Sequence, residues 1–209
     1  MARNLEFVEG EIYHIFNRGA DKRVVFQDKQ DFSRFLESMD KFNSIEPIGS
    51  IYENSFDRNQ LGNPVSKLVD FVCYCLNPNH FHFVLKQVSE KGIEKFMHRM
   101  LGYTKYFNQK HKRSGVLFQG PFKAVHVDSN EQLLHISVYV NLNDKVHQLG
   151  NGVSKSSWEE YSGADRQNIC SAKSMVLEQF NNFSEYKKFA SESLKWIREN
   201  KEEAKFLLE

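Results

Sequence analysis

The chain has 209 residues, 40% apolar and 13% aromatic, enough for one domain of ordinary size plus an appendage, and this excludes a globally disordered chain. A net charge of +1 gives no bulk attraction for nucleic acid. No apolar run reaches the length of a membrane span, the opening MARNLEFVEGE is too polar for a signal peptide, and three cysteines lack metal-finger spacing, so a cytoplasmic protein in a reducing compartment is expected.

Residues 10–17 alternate like a strand and close on Asn17-Arg18-Gly19, a turn signal. Asp28 is placed to cap a helix running to about Asn43, with Phe32, Phe35, Leu36, Met39 and Phe42 at helical spacing. Residues 44–66, rich in Ser, Asn, Gly and Pro, read as a long loop. Two apolar runs, 68–76 and 80–87, flank Asn77-Pro78-Asn79 and read as a hairpin. A helix is predicted from Ser89 to about Lys112, then an aromatic loop, a strand over FKAVHV, and a helix capped at 128–129 that reaches Asn143 or slightly beyond. Strand, helix, two strands, helix, strand, helix is the order of an α+β, ferredoxin-like antiparallel sheet. Residues 1–150 are expected to form this domain, and 151–209, mildly acidic from 156 on, a C-terminal helical extension.

Three features carry chemistry. On a strand, His80 and His82 share one face while Phe81 and Phe83 take the other. By themselves the two histidines are either ordinary strand residues or half of a metal site. On the late helix Tyr139 and Asn143 are four apart, so they share a face. The Asn143 amide oxygen suits a Mg²⁺ or Mn²⁺ site, and Tyr139 is either a core tyrosine or a nucleophile beside the metal. Between these pairs, residues 95–127 hold seven Lys or Arg and no Asp or Glu, interleaved with aromatics. That pattern fits a phosphate backbone with splayed bases, and equally a solvated helix face. Arg18, Lys105, Lys110, Lys112, Arg113 and Lys123 are the candidate DNA contacts. Tyr103 and Tyr106 are alternative tyrosines, but four residues on from them stand Phe107 and Lys110, neither a metal ligand. His14 either faces the site or packs, and His135 either supports Tyr139 or lies on the helix surface.

The segment Tyr74-Cys75-Leu76-Asn77-Pro78-Asn79-His80-Phe81-His82 resembles the HUH motif of single-tyrosine transposases, and in particular the REP-associated tyrosine transposases. Further motifs follow the same order: Tyr13-His14-Ile15-Phe16-Asn17-Arg18-Gly19, Tyr103-Thr104-Lys105-Tyr106-Phe107-Asn108, Gly115-Val116-Leu117-Phe118-Gln119-Gly120, and 134–143. The resemblance spans about residues 8–163. It implies His80 and His82 as a metal-binding pair with Asn143 as third ligand, Mg²⁺ or Mn²⁺ as cofactor, and Tyr139 as nucleophile. It implies single-stranded DNA with REP-like hairpins as partner, a 5′-phosphotyrosine intermediate, and a nucleoid-associated bacterial or archaeal protein, monomeric or homodimeric. Other roles compatible with the same motifs are a non-catalytic hairpin-binding regulator and a replication or mobilisation nickase. The sequence departs from the family at Asp144, where Pro is common, at Pro121, where Arg is common, and at Asn77, where Met is common.

Overall fold

The computed structural model describes residues 5–46, 49, 66–149, 154–164 and 168–200, so most of the expected 44–66 loop lies outside the described residues. Strand β1 (Ile12–Arg18) is followed by helix α1 (Lys29–Lys41), capped as expected by the Asp28 side chain, which accepts from Asp31 N. The hairpin forms as β2 (Val69–Asn77) and β3 (His80–Gln87), with Pro78 and Asn79 as its turn. Helices α2 (Gly92–Met100) and α3 (Gly102–Lys110) come next, then β4 (Lys123–Val127) and α4 (Asn130–Asn141). After α4 come α5 (Asn143–Val146), a short β5 (Lys155–Ser156), α6 (Trp158–Ser162), α7 (Ser174–Leu177) and α8 (Phe183–Glu199). The sheet order is β4-β1-β3-β2-β5, all antiparallel, which is the expected α+β ferredoxin-like layer with one added edge strand.

Strand alternation assigns each face its own core. Tyr13, Ile15, Leu76, Phe81, Phe83 and Leu85 meet α1, α2 and α3 through Phe35, Met39, Phe96 and Tyr103. Cys73, Cys75, Val84 and Val127 meet α4, α6, α7 and α8 through Val140, Tyr161, Val176 and Tyr186. The C-terminal helices therefore share a core with the sheet. A buried polar chain reinforces that contact: Ser157 Oγ donates to Asn141 Oδ1 (2.6 Å), and Asn141 Nδ2 donates to Tyr186 Oη (3.2 Å). Ser157 Oγ also accepts from Tyr74 N (2.9 Å), so the end of α4 is tied to both β2 and α8.

Two helices differ from their sequence expectation. The helix predicted from Ser89 starts only at Gly92, because Val88 N and Ser89 N both donate to the Leu68 carbonyl (3.1 and 3.3 Å) and extend the strand's bonding. A side chain at Gly92 would meet that same carbonyl at 2.1 Å, so glycine is required there. The same helix divides at Leu101, before Gly102. The late helix divides at Leu142, whose φ of −113° and ψ of 25° leave helical values, so Tyr139 and Asn143 lie on successive segments rather than on one helix face.

The joint between α1 and α3 rests on Asp31, fully buried, whose carboxylate accepts from Lys110 Nζ (2.8 Å) and Gln27 N (2.8 Å) and pairs with His111 Nε2 (3.0 Å). Asp31→Ala leaves Lys110 and His111 without this counter-charge in a partly buried place. We expect a loss of about 3 kcal/mol, the low end for breaking a buried pair because Lys110 keeps Asp28. Urea unfolding checks it, and a change under about 1 kcal/mol would show that solvent already screens the pair.

Candidate active site

The face of the sheet toward α4 changes character along its length. In the middle stand Ile12, Val84, Cys73 and Val127; at the end nearest the Pro78 turn stand Arg18, His80, Asn77 and Lys123. The register makes this a row: Arg18 pairs His80, which pairs Asn77, and in the next row Lys123 pairs Phe16, which pairs His82. A cleft of about 580 Å³ opens over these rows, walled by Arg18, His80, His82, Lys123, Gln119 and His147. Gly19 fixes the turn beside Arg18, since a Cβ there would stand 2.2 Å from the Arg23 carbonyl.

Asn143 reaches this row from the start of α5. Its Oδ1 accepts from Asn77 Nδ2 (2.6 Å) and lies 3.1 Å from His80 Nε2. His80 Nδ1 is 2.6 Å from Asn79 Oδ1, an acceptor, so the proton sits on Nδ1 and Nε2 keeps its lone pair. Asn77 Nδ2, 2.8 Å from that Nε2, therefore donates to both His80 and Asn143. Two acceptor atoms turned toward one donor, about 3 Å apart, match neighbouring ligands of a divalent ion with bonds near 2.1 Å. The other amide atom, Asn143 Nδ2, is buried with no hydrogen-bond partner. An orphan of this kind costs about 1–3 kcal/mol, so the position is not set by stability alone.

His82 is almost buried, and its Nδ1 stands 2.8 Å from Nε2 of the fully buried His14. Burial brings His80 down to about 4 and His82 well below the usual imidazole range, so both are neutral near pH 7, the form a metal ligand needs. Tyr139, 6% exposed, sets its ring edge-on against His82 (centroids 5.4 Å, 85°) and His14 (6.2 Å, 84°). His80, His82 and Asn143 offer two imidazole nitrogens and one amide oxygen, the residues that could hold a divalent ion. Among the described residues no group of three or more His, Cys, Asp or Glu is gathered for a metal.

The structure brings His80, His82, Tyr139 and Asn143 together, with Arg18 and Lys123 in the same cleft. It does not bring the basic helix there. Lys105, Lys110, Lys112 and Arg113 belong to α3 and its C-terminal turn, in the layer on the opposite face of the sheet. Lys110 is held by Asp28 and Asp31, and Arg113 bonds the Asn108 side chain and the Val116 carbonyl. Tyr103 is buried with its hydroxyl on the Val25 carbonyl (2.6 Å), and Tyr106 reaches Asp31 (3.3 Å), so both serve packing in that layer. His135 turns to Ser193 of α8 (3.3 Å) rather than to Tyr139.

Sequence reasoning missed three residues. Asn77 bridges two candidate ligands, and the signal was its place directly before the turn, opposite His80 in any tight hairpin. His147 stands on the cleft wall with its ring 5.6 Å from that of His80, and the signal was the Tyr139, Asn143, His147 spacing in steps of four. Gln119 lines the cleft and carried no signal of its own.

No protein-family model and no curated protein matches the chain. Among solved structures, the chain is similar to a REP-associated tyrosine transposase bound to a REP hairpin, at 12% identity, covering 82% of this chain and 91% of that one, with a TM-score of 0.55. No described helix is long and apolar enough to cross a membrane. The chain thus has the α+β fold of that transposase: a five-stranded antiparallel sheet with helices on both faces and C-terminal helices packed on it.

Proposed function

We propose that this protein nicks and rejoins hairpin-bearing single-stranded DNA as a single-tyrosine HUH transposase, with Tyr139 as nucleophile and His80, His82 and Asn143 as ligands of Mg²⁺ or Mn²⁺. The observation that carries this is the meeting of His80 Nε2 and Asn143 Oδ1 at 3.1 Å beside His82 and Tyr139, in a cleft flanked by Arg18 and Lys123. The fold shared with a hairpin-bound transposase supports the substrate class.

The chemistry follows from the residues. Arg18 and Lys123 attract the strand and seat one phosphate over the histidines. His80, His82 and Asn143 would hold a divalent ion there, whose charge would stabilise the phosphoryl group under attack. The Tyr139 oxygen forms a bond to phosphorus as the P–O3′ bond breaks. The 5′ phosphate is left on Tyr139 as a phosphotyrosine; the Tyr139 hydroxyl gives up its proton to water, and the leaving 3′ oxygen takes one from water to become a hydroxyl. A 3′-OH from another strand reverses the step, so the linkage energy is kept and no nucleotide cofactor is consumed. Neutral His80 and His82 remain available as ligands because burial disfavours their protonation.

The test is incubation of end-labelled hairpin DNA with the protein and Mn²⁺, with and without chelator. A denaturant-resistant, chelator-sensitive adduct is expected. Hairpin binding with no adduct on any substrate would make the protein a binder instead. Lys123→Ala should weaken DNA binding about equally across sequences and reduce the salt dependence, lowering the log–log slope by about 0.7 as one single-strand phosphate contact is lost. An unchanged slope would remove Lys123 from the interface.

A further inference from the structure

Within the two-histidine pair the partners are supported differently. His80 has Asn79, its sequence neighbour, on Nδ1. His82 has a residue 68 positions away: His14 of β1, buried completely, with the two ring nitrogens 2.8 Å apart. The β1–β3 register produces this contact. Phe16 pairs His82 and His14 pairs Val84, so His14 and His82 are diagonal neighbours on one face. Their rings lie nearly parallel (17°), and Phe16 stacks on both, at 4.8 and 5.6 Å between centroids. Between two imidazole nitrogens at 2.8 Å there is room for one proton, and where it resides decides what the other nitrogen of His82 can do.

We propose that His14 is a positioning residue that accepts the Nδ1–H of His82 at its own Nε2. It thereby holds His82 in the tautomer whose Nε2 lone pair is presented to the cleft. This rests on the metal-site reading above and extends it to a residue outside the ligand set. Two observations favour that direction. The charged side chains of the cleft wall, Arg18 and Lys123, are both cationic, and a lone pair facing them is better placed than a second N–H. The same arrangement holds at His80, where the proton lies on Nδ1 and the lone pair on Nε2, so both histidines present the same nitrogen. Histidine ligands of metals are characteristically fixed through the nitrogen that does not bind.

The experiment uses the full chain labelled with ¹⁵N-histidine, free of metal, at pH 7. Long-range ¹H–¹⁵N correlations should show His82 protonated on Nδ1 and bare on Nε2, with His14 bare on Nε2. A proton on His82 Nε2 would overturn the proposal whatever the metal does. Mn²⁺ affinity, followed by the electron paramagnetic resonance of the free ion, is the second readout. His14→Phe should weaken it about 10–100-fold, and His14→Gln, whose amide oxygen can accept the same bond, should recover most of the loss. Equal Mn²⁺ affinity in a folded His14→Phe protein would also overturn the assignment. If the wild-type tautomer is as stated but Mn²⁺ does not bind, the role of His14 stands and the metal site falls. Should His14→Phe fail to fold, the wild-type spectrum still decides.

Discussion

Tyr139→Phe will abolish the covalent DNA adduct while leaving the fold and hairpin binding in place. The substitution removes one oxygen and keeps the ring, so the edge contacts with His82 and His14 survive. Among the described residues, the two rival tyrosines stand elsewhere. Tyr103 and Tyr106 lie in the layer on the far side of the sheet, the first with its hydroxyl on a backbone carbonyl and the second on a buried aspartate. Burial and neighbouring carboxylates also raise the pKa of Tyr103, so its hydroxyl is hard to ionise. Removing a nucleophile typically costs about 10⁴–10⁶-fold in rate, and a drop of that size in cleavage of labelled hairpin DNA is the expected result. Retention of more than a few per cent of wild-type cleavage would mean that another group attacks the phosphate.

The second large effect belongs to Asn143. Asn143→Ala deletes the oxygen that stands beside His80 Nε2 and leaves two imidazoles, a pair too few for a hard divalent ion. Mn²⁺ affinity should fall by more than the roughly 10–100-fold typical of a supporting residue, with nicking falling in parallel and hairpin binding largely kept. Stability should change little. The side chain already leaves its Nδ2 unsatisfied, so truncation removes that penalty along with the bond from Asn77. Calorimetric titration with Mn²⁺ and a thermal melt of the same sample separate the two effects. A folded Asn143→Ala protein that binds Mn²⁺ as tightly as wild type would exclude Asn143 as a ligand. An Asn143→Asp variant supplies a carboxylate at the same reach and is expected to bind the ion at least as well.

What could be read from the chain and what could not divides along local against long-range causes. The cap at Asp28, the hairpin around Pro78 and the shared face of His80 and His82 follow from neighbours in sequence, and all three appear as expected. The start of α2 at Gly92 does not, because it is set by the Leu68 carbonyl in another strand. The α4 break at Leu142 also eluded a pattern of evenly spaced apolar residues, although Asn143 still arrives at His80. The basic stretch is the clearest case. Its composition is continuous, yet folding sends α3 to one face of the sheet and Lys123 to the other, so one run of charge serves two places. Lys110 looked available for DNA until Asp31, 79 residues away in sequence, came to lie under it. That His14 stands beside His82 could be known only once the β1–β3 register was known.

The most direct measurement is the identity of the residue that carries the DNA. Wild-type protein, incubated with hairpin DNA and Mn²⁺ and then digested with nuclease and protease, should give by mass spectrometry one nucleotide-bearing peptide, modified at Tyr139 through a 5′ phosphate. A modification on Tyr103, Tyr106 or any other residue would contradict the account, as would unmodified Tyr139 in a sample where the DNA has been cut.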